Sequence, residues 1–240
     1  MLVPVPAFPV TASNRRPPGV VYFRMNTVRR RSRLFAILVL LGAAPMGTPV
    51  GAQDARRDAA DAERLVKALE AKAGSVVAEI GAGDGELTVA LAKVVGPTGR
   101  IYSNELNTDS LATIRKRADE AGLQNVTTIE GKPDVANLPD GCCDGVFMRL
   151  VYHHFGDPPS MNASLLHALK PGGRLAIIDF TPPPPPLGGE NPPGHRGEDN
   201  HHGITRATLE TELKAAGFEM VSSSEAQREI FVVARRPINE

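Results

Sequence analysis

The stretch Val77–Thr88 reads VAEIGAGDGELT and places an acid, Glu79, ahead of three glycines at alternate positions, Gly81, Gly83 and Gly85. Glycines at that spacing permit positive φ and let a ligand approach backbone that any Cβ would shield. The spacing separates kinds of ligand. A dinucleotide fingerprint that starts at Gly81 requires glycine at position 86, where Glu86 stands. The turn also lacks the Lys-Ser/Thr of a phosphate loop, and no basic residue lies between Lys72 and Lys93. A ligand rich in phosphate is therefore poorly served.

Histidines are the other residues able to move protons here. His153 and His154 are adjacent, and neighbours in sequence are expected to point apart, which argues against a catalytic or metal pair. Asp179 has two readings, a cap on a strand end or a group facing a substrate. His195, His201 and His202 fall in a segment rich in glycine and proline at 182–204. Of these, His201 and His202 are the candidates for a catalytic general base. No cysteine or clustered carboxylate completes a zinc site around them. Cys142 and Cys143 read as ordinary residues entering a strand, with no disulfide framework.

These residues need elements to position them. Helix signals run over 54–73 and stop at Gly74. Strands are expected at 75–80, 100–105, 126–130, 145–150 and 174–180, with helices at 86–95, 108–121, 160–169 and 206–216. Strands 218–223 and 229–234 close the chain as a hairpin. Alternation of strands and helices at these lengths predicts an α/β fold, a mostly parallel sheet with helices on both faces. The glycine turn then lies outside the carboxyl end of the first strand, where open α/β sheets bind ligands.

With that order in view, E-I-G-A-G-D-G resembles the first motif of class I S-adenosylmethionine (SAM)-dependent methyltransferases. The similarity continues through Glu105 at the end of the second strand and Asp134 in EGKPDVANLP. It extends to Asp144–Met148 with Tyr152-His153-His154-Phe155, and to Leu169–Arg174 leading to Asp179. YHHF and LKPGGRLAIIDF are most similar to the small-molecule branch, which includes the ubiquinone/menaquinone C-methyltransferases. The resemblance implies a Rossmann-like seven-stranded sheet of order 3-2-1-4-5-7-6. It implies SAM as cofactor, held by Glu79, Gly81, Gly83, Gly85, Glu105 and Asp134. Glu105 would accept from the ribose hydroxyls and Asp134 would sit near the adenine amino group. It also implies that His153 and His154 shape the pocket floor and that the insert at 182–204 lines an acceptor site.

Composition bounds the partners. The chain has 240 residues and equal numbers of basic and acidic groups, but all seven charges within residues 1–53 are arginines, which leaves residues 54–240 at a net −7. An acidic body argues against nucleic-acid partners. Asn191-Pro192-Pro193-Gly194 lacks the aromatic of nucleic-acid amino-methyltransferases and follows the wrong strand. From Met25, a basic stretch, the apolar run Leu34–Ala44 and small residues ending Val50-Gly51-Ala52 form the pattern of a secretory signal. The expected organisation is a leader and signal, or uncleaved membrane anchor, at 1–52, followed by a methyltransferase domain at 53–240 exported to a bacterial periplasm. The leading function is methyl transfer from SAM to a small-molecule acceptor. Its alternatives are a non-catalytic SAM-binding or scaffolding protein and, more remotely, a protein methyltransferase.

Overall fold

The computed structural model describes residues 50–183 and 202–238. Helix α1 spans Val50–Leu69, followed by β1 (Val76–Ile80), α2 (Glu86–Val95), β2 (Arg100–Glu105), α3 (Thr108–Glu120) and β3 (Val126–Glu130). The second half comprises β4 (Cys143–Arg149), a 3-10 turn at Tyr152–His154, α4 (Pro158–Ala168) and β5 (Leu169–Phe180). Helix α5 (Arg206–Ala215), β6 (Glu219–Ala226) and β7 (Glu229–Arg235) complete it.

The seven strands form one sheet of order β3-β2-β1-β4-β5-β7-β6, as the resemblance implied. Strands β1 to β5 pair in parallel, and β7 runs antiparallel between β5 and β6. Residues pointing to opposite faces in alternation build two cores. Ile177 and Met148 pack with Leu165 of α4 and Leu209 of α5 on one face. Ile178 and Phe147 pack with Leu65 of α1 and Leu91 of α2 on the other.

Element ends differ from expectation where side chains or pairing override local signals. Helix α1 stops at Leu69 rather than at Gly74, because Glu70 takes a left-handed φ of 55°. The Glu70 and Ala71 N–H groups then bond the Lys67 and Val66 carbonyls, which closes a Schellman motif without glycine. Helix α4 begins two residues early, since Asp157 caps the Ser160 N–H and proline occupies its first turn. Strand β5 begins at Leu169, which pairs with Cys143 before a register shift to Gly145–Arg174. Cys142 and Cys143 form a disulfide with each other. This corrects their reading as unlinked strand-entry residues: adjacent cysteines give no spacing signal, and the turn into β4 brings the two sulfurs together.

Candidate functional site

All the candidate residues that the structure describes gather at the carboxyl edge of the parallel strands, except that His201 lies outside the described residues. Glu79 is the penultimate residue of β1 and only 3% exposed. Its Oε2 accepts a 2.5 Å hydrogen bond from the Thr88 hydroxyl, which in turn lies 2.8 Å from the Ser103 hydroxyl. Burial pushes the Glu79 carboxyl up to about 8. The Thr88 hydroxyl and Arg149 work against that rise, while Glu86 and Glu105 add to it.

The three glycines do different jobs. A Cβ on Gly81 would stand 2.5 Å from Cγ2 of Val151, so this glycine lets the β1 and β4 loops close on each other. A Cβ on Gly85 would meet Ile114 of α3 at 3.0 Å. Gly83, at φ +53°, has nothing within 4 Å of a Cβ position. The open side of the turn is thus at Gly83. Gly85 is also the N-cap of α2 and makes no side-chain cap, so the first N–H groups of that helix remain available to an anion.

Glu105 closes the cradle from β2. Its Oε2 accepts from the Gly83 N–H at 2.9 Å, and its Oε1 accepts from the Leu106 and Asn107 N–H groups at 2.7 and 3.3 Å. Three backbone donors therefore fix the carboxylate, and Oε2 is the oxygen with more room for a hydroxyl. Asp134 lies exposed in the loop after β3. The Asn104 side chain anchors that loop through a 2.6 Å bond to the Ala136 carbonyl.

Three features of the edge were missed by sequence reasoning. Leu106, Val135 and Leu150 are large apolar residues left 56%, 37% and 38% exposed, just beyond β2, beside Asp134 and just beyond β4. They offer the flat apolar contacts that an adenine or an aromatic acceptor requires. Arg149 ends β4 and bonds Asp58 and Asp61 of α1 at 2.5 and 3.2 Å. Burial works against its charge, but the hydrogen bonds it donates to Asp58 and Asp61, with their negative charges, outweigh that and hold the guanidinium above its ordinary value. This ion cluster fastens α1 beside Glu79. The third feature is His153: the 3-10 turn brings its ring to 3.9 Å from that of His154, so the pair does not point apart. His153 Nδ1 lies 2.7 Å from Asp179 Oδ1, and its backbone N–H donates to Asp179 Oδ2. Asp179 thus caps the turn and orients the histidine at once. His202 is exposed, 5.7 Å from the His153 ring and edge-on to Phe180 at 5.2 Å. Burial, His153 and His202 hold the His154 imidazole below its usual range, against Asp179.

Comparison with known proteins decides the family. Residues 71–228 match the family described as a methyltransferase domain. The chain belongs to that family. The methyltransferase domain is similar to a ubiquinone/menaquinone biosynthesis C-methyltransferase of Saccharophagus degradans, 32% identical over 113 residues, 47% of this chain and 45% of that protein. The chain spans about half the length of the curated relatives it matches. Among solved structures, a SAM-dependent methyltransferase from Aquifex aeolicus aligns with a TM-score of 0.61 at 25% identity, over 73% of this chain and 89% of that one. A [4+2]-cyclase, SpnF, aligns with a TM-score of 0.63 at 17% identity, over 76% and 82% of the two chains, which is a likeness of fold.

The cofactor of this family is SAM, and the cradle fits it. A sulfonium and an amino group suit the carboxylate of Glu79. A carboxylate suits the free N–H groups at the start of α2, and ribose suits Glu105. Adenine suits the exposed Leu106 and Val135, and the open side of Gly83 leaves space for the ligand.

Proposed function

We propose that this protein transfers a methyl group from S-adenosylmethionine to a small-molecule acceptor. The observation that carries the reading is the Glu105–Gly83 bond beneath open space, which sets a nucleoside-binding carboxylate against an unobstructed glycine turn. Bound SAM supplies a methyl carbon already activated by its sulfonium. The chain's own residues have the tasks of binding, orienting and excluding water. Such positioning accounts for much of the acceleration in an in-line displacement.

Glu79 faces the cationic part of the ligand from a desolvated position, where a neighbouring cation favours its ionised form. Glu105, held by three backbone N–H groups, takes the ribose hydroxyls without needing to reorganise. Asp134, exposed in the loop after β3, takes the adenine amino group on this reading. Helix α1, tied down through Arg149, walls the cleft beside β4. The acceptor enters at the edge shared by β4 and β5, where His202 faces Phe180.

Isothermal titration of the full chain with SAM tests the reading, with Gly83→Arg as the blocked control. Binding to the native protein and none to the variant is expected. Absence of binding to the native protein overturns the proposal. Binding without methyl consumption across a broad acceptor panel favours a SAM-binding scaffold instead. Export through residues 1–52 belongs to the same proposal, on the strength of the signal pattern, and amino-terminal sequencing of the protein from a periplasmic fraction tests it.

A further inference from the structure

We propose that His153 is the general base of this site, oriented by Asp179, and that the acceptor therefore presents an acidic hydroxyl of phenol or enol type. The inference rests on the methyl-transfer reading and deepens it.

The geometry has three parts. His153 is 4% exposed, and its Nδ1 is engaged by Asp179, itself fully buried. Asp179 also accepts from the backbone N–H groups of His153 and Phe180, so its carboxylate cannot rotate away. With Nδ1 donating to the Asp179 carboxylate, the neutral imidazole carries its proton at Nδ1 and its lone pair at Nε2. Nε2 makes no hydrogen bond to another described residue. Among the described residues the single sealed side-chain polar atom without a partner is Asn162 Oδ1, and His153 Nε2 is not such an atom.

The surroundings select the acceptor. The rings of Phe180, His154 and His202 lie 4.7, 3.9 and 5.7 Å from that of His153. A cavity of about 410 Å³ opens at the same edge, walled by Arg57, Leu150, Asp179, Phe180, Arg228 and Glu229. Asp179 thus belongs to both the dyad and the cavity wall, and Phe180, whose ring meets that of His153, lines the same wall. A cavity of that size has room for a single planar ring against Phe180. A neutral amine or thioether needs no base to attack carbon, whereas a phenol, with an ordinary pKa near ~10, is a weak nucleophile until its proton is drawn off. In the step, the acceptor oxygen forms a bond to the methyl carbon as the carbon–sulfur bond breaks and its electron pair stays on sulfur. The hydroxyl proton passes to His153 Nε2, beside the Asp179 charge, and then to water.

Two readouts test this without turnover. Long-range proton–nitrogen NMR of the full chain is expected to show His153 protonated at Nδ1 and bare at Nε2 at neutral pH. In Asp179→Asn that preference is lost while SAM still binds. Separately, 4-nitrophenol added to the SAM-loaded protein below its own pKa is expected to show phenolate absorbance. In His153→Gln the absorbance disappears and SAM affinity stays within about threefold. Protonation at Nε2 in the native protein overturns the proposal, as does phenolate absorbance that survives His153→Gln. SAM binding with no phenolate signal in the native protein overturns it as well, and leaves the methyl-transfer reading standing. Absence of SAM binding fails that reading instead.

Discussion

Gly81 and Val151 meet across the cleft with no room for a methyl group: a Cβ on the glycine would lie 2.5 Å from the valine Cγ2. The contact joins the loop after β1 to the loop after β4 and sets the floor of the ligand site. Gly83, two residues on, has no such neighbour.

The two glycines should therefore respond differently to alanine. Gly81→Ala is expected to cost ~2–4 kcal/mol of stability, the sum of an αL penalty and overpacking. Gly83→Ala should cost only ~1–2 kcal/mol, from its positive φ alone, yet weaken SAM binding at least tenfold. Urea unfolding and titration with SAM, run side by side, check both. Equal stability losses would show that the turn has no open side.

With Glu79 facing the cofactor as proposed, binding should depend on pH. The Glu79 carboxyl lies near 8 in the free protein, against an ordinary value of 4.5. Because the folded value is raised, its contribution to stability is present below pH 4.5 and lost as pH rises through 8. A cationic ligand favours the ionised form. Affinity for SAM should then climb between pH 6 and 8, by up to about tenfold per unit, and level off above. Glu79→Gln should flatten the profile, as titration across that range will show.

Arg149 holds α1 against the sheet edge. Asp61 is 2% exposed, and Arg149→Met leaves it, among the described residues, with Arg64 at 3.3 Å as its one ion-pair partner. A loss of ~1–3 kcal/mol is expected, discounted from a fully buried pair because Arg149 remains partly solvated. The same variant should move the Glu79 carboxyl further up, since Arg149 favours its ionised form. Chemical denaturation, together with the pH profile of SAM binding, reads both effects.

The Cys142–Cys143 link is open to direct chemistry. Thiol titration of the unfolded, unreduced chain should find no free thiol, and both cysteines should react after reduction. Free thiols before reduction would restore the reading of two unlinked residues.

Much of the fold was legible because it rests on local and periodic signals. Helix α2, β2 and β3 fall where their apolar runs and glycine turns place them, and the closing hairpin follows from the short link between its strands. The ends of α1, α4 and β5 were less legible. Glu70 took a conformation usually left to glycine, Asp157 with Pro158 started a helix early, and Leu169 found a partner in Cys143. Such choices depend on contacts that no window of sequence contains.

The same division runs through the site. The sequence by itself determined the glycine turn, the carboxylates at the ends of β1 and β2 and the order of elements that brings them to one edge. Short-range spacing governs backbone freedom, and parallel pairing then aligns strand ends. Only the tertiary structure decided which glycine faces open space, that Arg149 reaches α1 and that His153 pairs with Asp179. Each of those is a meeting of side chains from different elements. Their partners are set by packing across the sheet edge, where positions far apart in the chain come within a hydrogen bond of one another.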